Sequence, residues 1–223
     1  MDSIRKKILW EAGVVTMILL LIARVLYSFQ SLLFFQKYLS TIVAALFLYI
    51  PVLVLWKQSR KIDFLDSGWR NCFYSLGWAL LAVVVVFPPY FVLAHFWMKW
   101  VWGLSNFVLA PFPFSLDLIG YQLILVALPE EFFFRGYLQS LLSRVFPARW
   151  NVLGIRIGWG FWITAGVFAF GHSVISLQWW HFSIFFPALL FGYLRERTGS
   201  ITAPILLHAF SNLFIDWFTR CYF

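Results

Sequence analysis

Residues 118–142 read LIGYQLILVALPEEFFFRGYLQSLL, an apolar run of membrane-spanning length that holds three charged side chains. About 20 mostly apolar residues are enough for one helical crossing of a bilayer. The charged residues Glu130, Glu131 and Arg135 lie near the middle of the run. A charge at a helix centre costs on the order of 2.5–3.5 kcal/mol, so it usually faces a cavity and has a partner. The stretch therefore predicts a transmembrane helix that carries a buried polar site.

The composition of the whole chain is that of a membrane protein. Of its 223 residues, 62% are hydrophobic and 12% are charged, whereas soluble domains average roughly 45–50% apolar and 25% charged. A soluble fold of this size has too little interior to bury so much apolar surface. With only two cysteines, the chain has neither a disulfide framework nor a Cys-rich metal site.

Apolar stretches predict an all-α polytopic helix bundle of about seven transmembrane helices. The seven stretches are 8–29, 38–56, 76–97, 118–142, 157–176, 182–194 and 201–219. Residues 98–117, with Pro111 and Pro113, are predicted to form an interfacial connection. No polar linker interrupts the apolar stretches, so residues 1–223 are predicted to form one integral membrane domain. Its parts are the N-terminal spans and connection (1–117) and a core that carries the polar motifs (118–219).

The basic residues predict the orientation of the chain. Seven spans put twelve of the 17 Lys and Arg residues on one side: Arg5, Lys6, Lys7, Lys57, Arg60, Lys61, Arg70, Arg144, Arg149, Arg156, Arg195 and Arg197. Because basic loops stay in the cytoplasm, the N-terminus is predicted to be cytoplasmic. The net charge of +8 is explained in this way, so no nucleic-acid partner is predicted. A prokaryotic plasma membrane is the expected location, with the endoplasmic reticulum as the alternative.

Further polar residues lie within other predicted spans. His172 lies in the fifth, and His208 and Asn212 lie one helical turn apart in the seventh. Counted from the cytoplasmic ends, Glu130, His172 and His208 differ in depth by about 12 Å at 1.5 Å per residue. Three helices can therefore bring these groups into one buried cluster.

Local geometry separates the two glutamates of the fourth span. Glu131 and Arg135 are i,i+4 neighbours with the acid first, which is the favoured order for an ion pair. Glu130 projects about 100° away from Glu131 and has no local partner. A buried Arg–Glu pair or a single membrane histidine is often purely structural. The unpaired glutamate, two histidines and an asparagine on three spans favour a functional site.

Three other polar residues are interpreted as structural. His95 and His181 lie beside tryptophans and are predicted to be interfacial. Arg24, near the end of the first span, is predicted to extend its side chain to the membrane surface.

The combination of residues suggests a hydrolytic chemistry. A glutamate beside a neutral histidine can take a proton from a water as that water attacks a carbonyl carbon. A histidine and an asparagine one turn apart can donate hydrogen bonds to the resulting oxyanion. Glu130, His172 and His208 could instead hold a divalent metal such as zinc. The HExxH spacing is absent, so hydrolysis without a cofactor is predicted and the metal is the alternative.

Three short motifs occur in order along these spans. EExxxR is matched by Glu130, Glu131 and Arg135, and HxxxN by His208 and Asn212. An aromatic–histidine motif, FxxxH, lies between them at Phe168 and His172. Over residues 118–215 the chain resembles the CPBP family of intramembrane proteases, which includes the type 2 CAAX prenyl proteases and relatives linked to bacteriocin processing and self-immunity.

The resemblance implies a CAAX-protease-type-2-like core and a glutamate-dependent intramembrane endopeptidase. Glu130 would activate water with help from His172, and His208 and Asn212 would stabilise the oxyanion. Supporting roles at the site are implied for three residues: Glu131, Arg135 and Phe168. The expected partners are membrane lipids and a membrane-associated or lipidated peptide or protein whose terminus is trimmed. A prenylated substrate and an oligomeric state are not implied.

Two other functions compete with this interpretation. A non-catalytic membrane partner or immunity protein could be built on the same fold. A transporter would also place Glu, His and Arg within helices, but it usually has internal repeats, and none is evident here.

Overall fold

The computed structural model describes residues 3–112 and 115–223, so Pro113 of the predicted connection lies outside the described residues. Within these ranges the chain forms an all-α helix bundle, which confirms the predicted fold class. Its helices are α1 (Ser3–Ser28), α2 (Leu33–Lys57), α3 (Trp69–Trp100), α4 (116–145), α5 (Trp159–Ser176), α6 (Phe185–Thr198) and α7 (Thr202–Arg220). Each helix overlaps one of the seven predicted spans.

The first three helices are long and apolar, and they expose large apolar side chains. By length and composition, α1, α2 and α3 are each long and apolar enough to cross a membrane. No other helix in the described residues meets both conditions. Their large apolar side chains point outward, as at Trp10 and Leu33, which are 75% and 84% exposed. The α6 helix has 14 residues, fewer than the roughly 20 needed for a full crossing.

Helix α4 switches from α-helical to π-helical hydrogen bonding twice. Short α-helical segments alternate with π-helical turns at Tyr121–Ala127 and Phe132–Leu138. A proline lacks an amide hydrogen and disturbs the preceding turn of an α-helix, and Pro129 lies between the two π segments. The amide of Gln139 donates to the carbonyl of Phe134, five residues back, as π-helical geometry requires.

Packing places α4 in the interior of the bundle. Phe133 and Phe134 are at most 2% exposed, and Phe47 of α2 packs edge-on against Phe133. Helix α5 crosses α4 closely at Gly160, where an added Cβ would lie 2.7 Å from the carbonyl carbon of Leu142. The motif-bearing helix is therefore enclosed by its neighbours, so its polar side chains must find partners inside the protein.

A β-hairpin precedes α5 and was not predicted from the sequence. Strands β1 (Trp150–Val152) and β2 (Ile155–Ile157) pair antiparallel, and α5 begins two residues later at Trp159. Gly154 has a φ of +81° in the two-residue turn, a conformation that glycine adopts without steric cost. The predicted fifth span, which started at residue 157, therefore began at the end of a strand.

The predicted interfacial connection is tied to the end of the chain. The amide of Val108 donates to the carbonyl of Cys221 at 2.8 Å, and Phe107 forms an isolated antiparallel bridge with Tyr222. The indole of Trp217 on α7 donates to the carbonyl of Ala110 at 2.8 Å. These bonds fix the residues that lead into α4 against the end of α7.

Candidate functional site

Glu130, His172 and His208 meet in the interior, although they lie on three different helices. The carboxylate oxygen Oε2 of Glu130 is 3.5 Å from Nε2 of His172 and 3.9 Å from Nε2 of His208. This oxygen is buried and has no hydrogen-bonding partner within the described residues. The Glu130 and His172 side chains are 21% and 29% exposed, so the cluster is accessible from outside the bundle. The predicted convergence of the three helices is thus present in the structure.

A second carboxylate holds His208 from its other side. Oε1 of Glu131 lies 2.8 Å from Nδ1 of His208, and Oε2 lies 3.2 Å from Nε of Arg135. Both members of the Glu131–Arg135 pair are fully buried. Glu131 therefore connects the i,i+4 ion pair to a histidine on α7, a contact that helical spacing alone did not predict.

Arg135 is fixed by neutral groups as well as by its acid. Its guanidinium donates to the carbonyl of Ala188 on α6 at 3.0 Å. The guanidinium carbon lies 4.3 Å from the ring centre of Phe168 and 5.3 Å from that of Phe191, within range of cation–π attraction. These contacts hold α4 against α5 and α6.

Phe168 also sets the orientation of His172. Nδ1 of His172 lies 2.9 Å from the backbone carbonyl of Phe168, one turn earlier on α5. A carbonyl only accepts hydrogen bonds, so Nδ1 must carry the hydrogen. In the neutral ring, Nε2 then carries the lone pair that faces Glu130.

Asn212 is bonded to a residue that the sequence analysis did not select. Its Nδ2 donates to Oε1 of Gln122 at 2.9 Å, and both side chains are half-buried. Gln122 lies on α4, eight residues before Glu130. The sequence did contain a signal for Gln122, because it is an uncharged polar residue within a long apolar run. The charged residues of the motif in the same run drew attention away from it.

His181 lies closer to the site than its predicted interfacial position suggested. It belongs to the 3₁₀ segment Trp179–Ile184, which leads into α6. Its Nδ1 is 2.7 Å from Oγ of Ser176, and that hydroxyl donates to the carbonyl of His172 at 2.8 Å. Burial lowers the pKa of His181, so its ring stays neutral near pH 7. His181 and Ser176 therefore brace the last turn of α5, which carries His172.

Two further interactions extend the sequence analysis. The guanidinium of Arg24, which was predicted to extend to the membrane surface, donates to the carbonyl of Ile175 near the end of α5. Glu11 of α1, which was overlooked, pairs with Arg60 at 2.7 Å and accepts from the hydroxyl of Tyr137 at 2.9 Å. Both interactions fasten α1 to the helices that carry the motifs.

The same three side chains, Glu130, His172 and His208, form the alternative metal site that the sequence suggested. No group of three or more His, Cys, Asp or Glu side chains in the described ranges is arranged to hold a metal ion. A divalent metal held by Glu130, His172 and His208 stays the alternative. Hydrolysis without a cofactor remains a prediction.

The cluster has the elements of an acid–base site. One carboxylate oxygen faces a ring nitrogen with a free lone pair, and a second histidine is held by a second carboxylate. An amide side chain, Asn212, lies one turn beyond that histidine on the same helix. Such a set can accept a proton and can donate hydrogen bonds to a developing negative charge.

The segment that carries the three motifs is similar to a known protein family. Residues 112–214 match the family model described as type II CAAX prenyl endopeptidase, Rce1-like, and all three motifs lie within that segment. Neither the curated proteins nor the solved structures gave a significant match. Helices α1 to α3 precede the matched segment, and their composition and the family match both indicate an integral membrane protein. Segment 112–214, just under half of the chain, is thus similar to the Rce1-like family, which is consistent with the CPBP family of membrane proteases.

Proposed function

We propose that this chain is an intramembrane endopeptidase in which Glu130 activates a water molecule against a peptide bond. The observation that carries the proposal is the placement of Glu130 Oε2, which faces Nε2 of both His172 and His208 and has no hydrogen-bonding partner among the described residues. The Rce1-like match supports a CAAX-type intramembrane protease at the level of the family.

The proposed reaction needs only the side chains of this cluster and a water. Glu130 removes one proton from the water while its oxygen forms a bond to the carbonyl carbon of the substrate. Nε2 of His172 accepts a hydrogen bond from the same water and fixes its position. The protonated Glu130 then gives the proton to the leaving nitrogen, and the carbon–nitrogen bond breaks. Atoms and protons balance without a covalent enzyme intermediate.

Asn212 and His208 supply the hydrogen bonds to the oxyanion in this scheme. One hydrogen of the Asn212 amide is bonded to Gln122, which leaves the second free to donate to substrate. The Nδ1 hydrogen of His208 is directed to Glu131, so its Nε2 can donate only when the ring is doubly protonated. Glu131 and Arg135 act as positioning residues, because they orient His208 and bind α6.

The proposed substrate is a peptide or protein segment that reaches the site from the membrane. The surrounding helices are apolar, so an extended membrane-associated or lipidated terminus would remain in contact with lipid as it enters. A prenyl group is not required by this geometry.

The test compares membranes that contain wild-type protein with membranes that contain Glu130→Gln. The variant keeps the size of the side chain but removes its ability to accept a proton from water. Asp117→Asn serves as the matched control, because Asp117 lies on the same helix, is exposed and is outside the cluster. Mass spectrometry of the termini of small membrane proteins reads out cleavage in all three.

The expected result is a new terminus with wild type and Asp117→Asn that is absent with Glu130→Gln. Adding a chelator should leave that terminus in place. A terminus that is equally abundant with Glu130→Gln would refute the assigned base. If none of the three well-expressed forms yields a new terminus in a host that makes candidate substrates, the endopeptidase function is wrong and a partner or immunity role gains support.

A further inference from the structure

A shallow groove lies between the β-hairpin and the start of α5, away from the glutamate–histidine cluster. It has a volume of about 620 Å³, and three tryptophans contribute much of its wall. Trp150 of β1 and Trp159 of α5 pack edge to face with ring centres 5.3 Å apart, and Trp162 follows on the next turn. All three are between 37% and 47% exposed. The groove is therefore open and aromatic.

The hairpin has two chemically different faces. On one face, Ile155 and Ile157 are at most 5% exposed and pack against the bundle. On the opposite face, Asn151 pairs with Arg156 across the two strands, and both are exposed. Leu153 at the turn is 81% exposed. This order of polar and apolar groups is typical of a segment that lies in the headgroup region of a bilayer.

Positive charge around the groove is not balanced by acids. Residues 139–176 contain Arg144, Arg149 and Arg156 and no Asp or Glu. No carboxylate in the described parts of the chain lies within ion-pair distance of Arg149 or Arg156. Arg149 itself lines the groove together with the three tryptophans.

We propose that this groove binds an anionic phospholipid. A guanidinium pairs well with phosphate oxygens because it presents several hydrogen-bond donors in one plane. Indole rings favour the glycerol level, where an apolar ring and an N–H donor are both accommodated. Arg149 and Arg156 hold the headgroup, and the tryptophans contact the upper acyl chains. The lipid fixes the hairpin, and through it the start of α5, at the membrane surface.

The experiment uses the purified full chain in non-ionic detergent micelles containing equal amounts of phosphatidylglycerol and phosphatidylcholine. Native mass spectrometry counts the lipids of each kind that remain bound. The test variant is Arg149→Gln with Arg156→Gln. The matched control is Lys57→Gln with Arg70→Gln, which removes the same charge from exposed positions predicted on the same membrane side but outside the hairpin.

Wild type and the control are expected to retain phosphatidylglycerol preferentially. The hairpin variant should bind it roughly 10- to 30-fold more weakly, given the usual contribution of two basic residues near an anionic surface. Trp150→Ala should weaken the retention of both lipids.

Three results would overturn the proposal. The first is an equal loss of bound phosphatidylglycerol in the hairpin variant and the control, because binding would then depend on the total positive charge of the protein and not on the hairpin. The second is equal retention of the two lipids by wild type. The third is complete displacement of phosphatidylglycerol by an excess of inorganic phosphate, which would make the groove an ion site only.

Discussion

Helices α3 and α4 both contain proline well inside their length, yet they respond to it differently. Helix α3 remains α-helical across Trp69–Trp100 although it includes Pro88 and Pro89. Helix α4 has π-helical turns on both sides of Pro129. The α3 prolines are exposed, whereas Pro129 is buried. Proline alone therefore does not specify the π turns.

The surroundings of the two helices explain the difference. Next to the α3 prolines, the buried Phe87 packs its ring against Phe210 and Phe214, and these apolar contacts involve no hydrogen bond or ion pair. On α4, Glu130, Glu131 and Arg135 each contact side chains or carbonyls from other helices. A π turn changes the direction of successive side chains, and such turns are frequent at functional sites. The contrast indicates that polar contacts on α4, together with Pro129, favour the altered hydrogen bonding.

Removing the buried arginine should have the largest effect on stability. Arg135→Met leaves a fully buried carboxylate without its cation, which typically costs about 3–5 kcal/mol. Arg60→Met is the matched variant in the N-terminal half, and it should cost about 1 kcal/mol or less. Glu11 keeps its bonds to Tyr137 and Gln58 in that variant. The concentration of denaturing detergent at the midpoint of unfolding measures the loss of stability in Arg135→Met and in Arg60→Met. Equal shifts of this midpoint in the two variants would show that the buried pair on α4 contributes no more to stability than the pair in the N-terminal half.

A double-mutant cycle should separate the oxyanion donor from its positioning partner. Asn212→Ala is expected to reduce kcat by about 10²–10³-fold, as loss of one such donor does. Gln122→Leu removes a neutral hydrogen bond worth about 0.5–1.5 kcal/mol, which corresponds to roughly 2- to 10-fold in rate. In the Asn212→Ala background, Gln122→Leu should add little.

Gln30→Leu, at an exposed position between α1 and α2, is the control for this cycle and should leave the cleavage rate unchanged. Strictly additive effects of the Asn212 and Gln122 variants would show that the two residues act independently.

Two helical glycines are predicted to have opposite effects on stability. A Cβ at Gly136 of α4 would overlap the ring of Phe64, so Gly136→Ala should destabilise by about 1–3 kcal/mol. Gly77 of α3 has no atom within 4 Å of that position, so Gly77→Ala should stabilise by up to about 1 kcal/mol. Thermal unfolding of the two variants in detergent tests the signs. Stabilisation by Gly136→Ala would mean that α4 is less tightly packed than described.

The amino-acid sequence by itself predicted the helices and the motif residues. Apolar run length specified seven helical segments, because a helix satisfies its backbone hydrogen bonds within one continuous stretch. The i,i+4 spacing predicted the Glu131–Arg135 pair, which is observed at 3.2 Å. Charges within apolar stretches also marked Glu130, His172 and His208 as residues that needed partners.

Only the tertiary structure decided which partners these residues have. His208 lies between two carboxylates, and the one it bonds, on Glu131, is 77 residues away in the sequence. Gln122 accepts a hydrogen bond from Asn212, which is 90 residues away. The hairpin depends on Gly154 adopting positive φ and on Ile155 and Ile157 packing against helices that are distant in the chain. Local periodicity carries no information about such contacts, because they depend on how separate helices rotate and approach one another when they pack.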